Sequence, residues 1–463
     1  MDEYDLIIIG SGAGLNLVDA AVRSGMRVAL AENGQMGGTC LNRGCIPSKM
    51  WIYPADVIRQ IEDGHRVGVH ARLEKADFEL VQQRMWDSVV KERDGISNAV
   101  KEDPQVTPIR DTVSFVGDRT LKASNRTIRA PRIVIAGGAR SVIPDIPGLD
   151  DVDYQTSETI FDIETLPKSM VIVGGGFKGC EFAHFFSAFG VDVTIVQRGS
   201  RLLPNEELEI SSIVTRKLGH HVTIRTAHDV KEVRKGDGGI EVMSVDRNNG
   251  KEVIDEGEML LLVAGMKSNA DWLDPAATGV ELDERGYIKV NEHLETTAEG
   301  IWALGDITGR HMFRHTANYE SQVVWYNMMS DEKVSVDEHA IPHAVYTYPT
   351  VGSVGMTEEE VKRSNMKYLV GYNYYSNVAK GVAMANDHGL VKVLVEAGTR
   401  RILGAHIVGP EADLLVQQVV YLMNAGDQSY LPMARSQIIH PSLSEVVAGA
   451  FAHLAEPGAH HHH

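Results

Sequence analysis

Two cysteines carry the most legible chemistry in this chain. Cys40 and Cys45 lie within Gly37-Gly38-Thr39-Cys40-Leu41-Asn42-Arg43-Gly44-Cys45-Ile46-Pro47-Ser48-Lys49, and the whole sequence holds only 3 cysteines. Zinc would need further Cys or His ligands at suitable spacing, and none are near. A passive structural disulfide does not suit a reducing compartment. A redox pair at a helix start fits best, because the N-terminal helix dipole lowers a thiol pKa and Lys49, one turn on, adds positive charge. Cys180 falls inside a later helical segment and reads as a small packed side chain. No metal site is expected.

His440-Pro441-Ser442-Leu443-Ser444-Glu445 is the other constellation that could move protons. One histidine among 19 is most often inert. A carboxylate nearby can fix the imidazole tautomer and support the imidazolium, which would make His440 an acid/base with Glu445 as its orienter.

These groups need elements to hold them. Leu6-Ile7-Ile8-Ile9 is a continuous apolar run, as a buried parallel strand requires. Gly10-Ser11-Gly12-Ala13-Gly14, a helical segment from Asn16 to Ser24 and a strand from Met26 to Ala31 complete a β-α-β unit. Glu32 follows, 22 residues past Gly10, where an acid binds a ribose hydroxyl of an adenine nucleotide. Leu15 stands at the third glycine position of this motif.

The pattern returns at Met170–Val173, with Gly174, Gly176 and Gly179 complete, a helix to Phe189 and a strand from Val191 to Val196. The glycines permit the tight turn, the approach of a pyrophosphate and close helix–strand packing. Gln197 stands where an NAD-specific acid is expected. Arg198 follows, with Arg201 close by, and a cation there can pair with a 2′-phosphate, favouring NADPH over NADH. Two solvated arginines are the bland alternative.

Length and texture set the organisation. At 463 residues the chain exceeds one ordinary core. Ile133–Ala136 reads as a strand ending in Gly137-Gly138, and Pro144 and Pro147-Gly148 mark a linker. Leu260–Ala264 reads as the strand closing the second nucleotide domain. From about Ala340 the segments alternate, as at Gly389–Val395 and Ile402–Val408, before an amphipathic helix from about Glu411 to Gly426. The fold class is therefore α/β, with two Rossmann-like nucleotide-binding domains and a C-terminal α+β domain. A formal charge of −18 argues against nucleic acid or an anionic membrane as partner. No apolar run reaches transmembrane length and no signal peptide precedes the first strand, so a cytoplasmic location is expected. His460 to His463 reads as a tag remnant.

Taken together, these residues resemble the class I pyridine nucleotide-disulfide oxidoreductases, from Asp5 to about Leu454. The signature Gly-Gly-Thr-Cys-Leu-Asn-x-Gly-Cys-Ile-Pro-Ser-Lys is matched in full. The resemblance implies an FAD domain from residues 1–147 and 265–335, an NAD(P) domain at 148–264 and a dimerisation domain at 336–459. It implies that Cys40 attacks the substrate disulfide and that Cys45 lies against the flavin. Lys49 would sit near the flavin N5, paired with Glu181, and Asp306 and His315 would also meet the FAD. Gly10, Gly12, Gly14, Glu32, Gly38, Thr39 and Gly138 would line the FAD site, while Gly174, Gly176, Gly179 and Arg198 would hold the second nucleotide. His440 of the partner subunit, oriented by Glu445, would carry protons in a homodimer.

Departures from the family pattern include Phe177 at the nicotinamide gate, Gly137, Met266-Lys267-Ser268-Asn269 and Thr350. Within the family, Leu15, Arg198-Gly199-Ser200, Ser268-Asn269-Ala270-Asp271 and His315-Thr316-Ala317-Asn318 are similar to mycothione reductases. The expected activity is NADPH-dependent reduction of a low-molecular-weight thiol disulfide, with NADH possible. The alternative is NAD-dependent oxidation of a dihydrolipoyl substrate. A mercuric reductase-like enzyme or a non-catalytic flavin-binding protein ranks lower.

Overall fold

The computed structural model describes residues 1–458; the expected tag at His460–His463 lies outside them. The apolar run Leu6–Ile9 forms the middle strand of a five-stranded parallel sheet. Its neighbours are Arg132–Ile135 and Val28–Ala31, with Ile301–Ala303 and Val106–Ile109 at the edges. All four residues of Leu6–Ile9 are buried, which explains why the run is apolar on both faces. The second parallel sheet has the order Gln155–Thr156, Met259–Leu262, Ser169–Val173, Asp192–Gln197 and Thr223–Thr226.

The chain builds the second sheet before returning to finish the first. Where it leaves and re-enters, Ala139–Ser141 pairs antiparallel with Met266–Ser268. This two-stranded clasp joins the two crossing segments. The expected strand at Leu260–Ala264 is observed as Met259–Leu262, and the expected Met26–Ala31 begins at Val28.

The C-terminal segment is a six-stranded antiparallel sheet, Pro342–Val345, Val351–Gly355, Ile402–Val408, Leu390–Glu396, Tyr368–Tyr374 and Leu454–Ala455 in spatial order. Helix Ala412–Met423 packs on Val351–Gly355, and helix Ser444–Ala452 packs on Tyr368–Tyr374. Lys392, buried in this sheet, reaches the second nucleotide unit: its Nζ lies 3.0 Å from Glu207 and 3.0 Å from Glu209, as well as 2.8 Å from Glu358 of its own segment. His343 contacts Glu206 at 2.6 Å beside it. Buried charges persist only when paired in this way.

Two helices that run in the same direction matter most for function. Cys45–Asp63 lies along Phe177–Ala188, and Trp51 stacks on Phe185 with ring centroids 4.5 Å apart. Phe161 and Phe186 meet the same indole edge-on. Each such aromatic pair adds about 0.5–1.5 kcal/mol beyond area burial. Polar contacts follow the seam, with Asp56 2.8 Å from His184 and Arg59 2.7 Å from Ser187. The helix bearing Cys45 is thus locked in register with the helix of the second glycine motif.

Candidate active site

The first glycine turn and the thiol loop touch. Gly38 has φ +69°, and a Cβ there would meet the Gly12 Cα at 2.5 Å, so only glycine lets the two segments close. Glu32 ties them further: one carboxylate oxygen accepts from the Ser11 N–H at 2.9 Å and from its hydroxyl at 2.6 Å, and the Gly37 N–H donates to that hydroxyl at 3.0 Å. The expected gap at Leu15 is filled by its neighbour. A Cβ on Gly14 would come within 2.3 Å of the Gly10 carbonyl oxygen, and one on Gly179 within 1.9 Å of the Gly174 carbonyl oxygen. Gly14 therefore serves in the first unit as Gly179 does in the second.

The thiols lie on different helices. Cys40 belongs to the short Gly38–Arg43 helix, while Cys45 opens the long Cys45–Asp63 helix. The Cys40 thiol hydrogen-bonds to the Cys45 sulfur. That bond is the main reason the Cys45 pKa falls to about 7, and the Lys49 charge lowers it further against the effect of burial. The same bond, with burial and the Cys45 charge, pushes the Cys40 pKa up. The proton therefore stays on Cys40 while Cys45 carries the charge. Lys49 is fixed in turn: its Nζ lies 2.8 Å from Glu181 Oε2 and 4.4 Å from the Tyr346 ring centroid, and the Tyr346 N–H donates to Glu181 Oε1 at 3.0 Å.

These groups open on a cavity of about 470 Å³ that also takes in Gly10, Gly12, Glu32, Thr39, Gly138 and Asp306. Burial raises the Asp306 pKa, and the Lys178 charge opposes that rise. Phe177 lines the cavity too and is half exposed. Gly12 lies on the cavity wall just before helix Leu15–Arg23, where a Cβ would come 3.8 Å from Arg314 Nη1. A helix N-terminus with room for a pyrophosphate, an acid at one end and a dithiol at the other suits a flavin dinucleotide.

Several expected site residues lie outside this cavity. His315 is not in the cavity: its Nε2 contacts the Pro342 carbonyl oxygen at 2.7 Å and its ring stacks on Phe313. Arg314 and Ala317 take the cavity face of that helix, since successive helical residues point about 100° apart. His440 is 70% exposed, with Nδ1 2.9 Å from Glu445 Oε1, and does not meet the thiols of its own chain. The Ser442 N–H donates to the other Glu445 oxygen at 3.0 Å, and the two contacts lower the Glu445 pKa. Arg198 is exposed beyond the second glycine turn. Gln197 mirrors Glu32 there, accepting from the Gly175 N–H at 2.9 Å.

Residues 4–321 match the pyridine nucleotide-disulphide oxidoreductase family, and residues 341–451 match its dimerisation domain. The chain belongs to this family. Its members are flavin-dependent disulfide oxidoreductases that use a pyridine nucleotide. Mycothione reductase of Mycobacterium tuberculosis is 36% identical over 470 residues, covering 98% of this chain and 100% of that protein. Dihydrolipoyl dehydrogenase of Chlamydia pneumoniae is 29% identical, covering 96% of each. Among solved structures, the HOCl-induced flavoprotein disulfide reductase RclA of Escherichia coli matches with a TM-score of 0.86 at 29% identity, over 97% of this chain and 99% of that one. No helix among the described residues is long and apolar enough to cross a membrane.

Sequence reasoning missed Lys178 and Arg314, both on the cavity wall. Lys178 sits between Phe177 and Gly179 at the start of a helix that is otherwise almost wholly buried, and that setting was its signal.

Proposed function

We propose that this oxidoreductase uses NADPH to reduce a low-molecular-weight thiol disulfide, in the manner of a mycothione reductase. The observation that carries the reading is the divided dithiol at the cavity wall, with Cys40 on the short helix and Cys45 opening the long helix that bears Lys49, itself held by Glu181. When bound, FAD supplies the relay of two electrons from the nicotinamide to the Cys40–Cys45 disulfide. The residues in the cavity do the rest. Gly10, Gly12 and Gly14 form the turn for the pyrophosphate, Glu32 meets the adenosine ribose, and Gly38, Thr39, Gly138 and Asp306 hold the remainder.

Cys40 needs a base because it keeps its proton while hydrogen-bonded to Cys45. His440 of the partner subunit, oriented by Glu445, is that base in a homodimer built on the dimerisation domain, here placed at residues 336–459. Cys40 as thiolate attacks one sulfur of the substrate RS–SR. The S–S bond breaks, a Cys40–S–R mixed disulfide forms, and the departing RS⁻ takes the proton from His440. The Cys45 thiolate then attacks the Cys40 sulfur, closing the internal disulfide and releasing the second RS⁻.

The preference for NADPH rests on the strand end in the 148–264 domain. Gln197 puts an amide where an acid would repel a phosphate, and its oxygen is engaged by Gly175. Arg198 is exposed, and the adjoining Gly199 and Ser200 line a hollow with Arg216. Steady-state assays of NADPH against NADH, with mycothiol disulfide, glutathione disulfide and lipoamide, test this. The expected result is at least about tenfold higher kcat/KM with NADPH, the scale of one charge-assisted contact, and turnover of a thiol disulfide. A preference for NAD with dihydrolipoamide oxidation would replace the reading with a dihydrolipoamide dehydrogenase.

A further inference from the structure

Lys178, a cation of the cavity wall, has no part in the cycle above. Lys178 is half-buried, and its Nζ lies 3.0 Å from Ser157 Oγ and 3.0 Å from Met266 Sδ. Both partners are neutral. Among the described residues no carboxylate comes within ion-pair distance of it. An ammonium has three donors, so one N–H is left for whatever fills the cavity.

Its electrostatic setting explains why the charge can matter. Burial lowers the Lys178 pKa, while Glu158, Asp306, Cys45 and Glu181 act in the opposite sense. Two of these acids already have donors of their own. Glu158 accepts from the Ser141 N–H at 2.8 Å and its hydroxyl at 2.5 Å, and Glu181 is paired with Lys49. Lys49 is held by its partner Glu181, whereas Lys178 faces the same space without a fixed counterion. Of the other cations of the wall, Arg43 is paired with Asp162 and Arg314 acts on Cys40. Tyr346, against Lys49, is neutral, with its phenol pKa raised.

We propose that Lys178 is a positioning residue for electron transfer: its ammonium stabilises the negative charge that reduction brings into the cavity, on the Cys45 sulfur and on the flavin bound beside it. The half-reaction is the Cys40–Cys45 disulfide plus two electrons and one proton, giving a Cys45 thiolate and a Cys40 thiol. NADPH supplies the electrons. One negative charge remains at Cys45, in the cavity that the cation also lines. Met266 supports this role, since its soft sulfur holds the ammonium in place without neutralising it. The inference rests on the reading of Cys45 as the flavin-side thiol.

The test uses FAD-loaded protein reduced anaerobically by two electrons, with the long-wavelength charge-transfer absorbance followed against pH. Wild type should show the band, with a thiolate midpoint near 7. In Lys178→Met and in Lys178→Gln the midpoint should move up by about one unit, so that roughly tenfold less thiolate forms at a fixed pH below it. Lys178→Arg should restore the wild-type midpoint. Two neutral variants guard against failure of either one to fold. A purely structural role would cost melting temperature in the neutral variants without moving the midpoint. A wild-type band with unshifted neutral variants would overturn the inference alone. A wild type that shows no band would instead overturn the reading of Cys45.

Discussion

Lys49 Nζ lies 2.8 Å from Glu181 Oε2, and this contact joins the helix that begins with Cys45 to the helix that follows the second glycine turn. Cys45 and the second glycine turn are thus tied together by one packed seam. Lys49 lowers the Cys45 pKa because the seam holds it there.

Removing that charge should change the thiol directly. Alkylation requires thiolate, so the rate at Cys45 in reduced wild type should rise through about pH 7 and level off above it. In Lys49→Met the midpoint should climb by about one unit. Rates of iodoacetamide labelling across pH, assigned by mass spectrometry, check this. An unmoved midpoint would remove Lys49 from the electrostatics of the pair.

The seam itself depends on Trp51, which stacks on Phe185 at 4.5 Å. Trp51→Ala should cost about 3–5 kcal/mol of stability by leaving a cavity in the core. It should also weaken the hold on Lys49. Chemical denaturation gives the first effect and the Cys45 alkylation midpoint the second. A stable variant would show that the aromatic cluster is not what fixes the helices.

Much of this arrangement is legible in the residues. The apolar runs, both glycine turns and the dithiol signature are local patterns, and local patterns survive folding. What escapes is set at long range or by small shifts of phase. Gly14 takes the close-packing role one position before Leu15, which a fixed spacing cannot show. Arg314 rather than His315 faces the cavity because the helix starts where it does. Lys178 gains its neutral partners only when folding brings Ser157 and Met266 against it. The Lys392 cluster joins residues 185 positions apart and leaves no trace in any window.

Glu320 should make stability fall as pH rises. Burial pushes its pKa up to about 7, and one of its oxygens is buried without a partner while the other accepts from the Gly305 N–H at 2.6 Å. A carboxyl whose folded pKa exceeds its unfolded value of 4.5 weakens the fold progressively above the unfolded value. Glu320→Gln should therefore gain on the order of 1–3 kcal/mol at pH 8 relative to wild type, and less at pH 5. Denaturation at the two pH values measures the difference. An equal effect at both would show that Glu320 does not titrate in this range.

His440 tests the proposed contribution of the second subunit. His440→Gln should lower disulfide turnover by about 10²–10⁴-fold, the usual worth of a positioned acid/base, with the dimer intact by ultracentrifugation. Glu445→Gln should fall less, because it removes only the orienting contact at 2.9 Å. Wild-type turnover in His440→Gln would assign the proton to another group.

The most direct measurement is the behaviour of Cys40→Ser in the two halves of the cycle. Stopped-flow mixing with NADPH should show flavin reduction at a rate near wild type, while steady-state reduction of a thiol disulfide is abolished. Disulfide turnover at the wild-type rate in Cys40→Ser would contradict the assignment of Cys40 and Cys45 as the electron path to substrate.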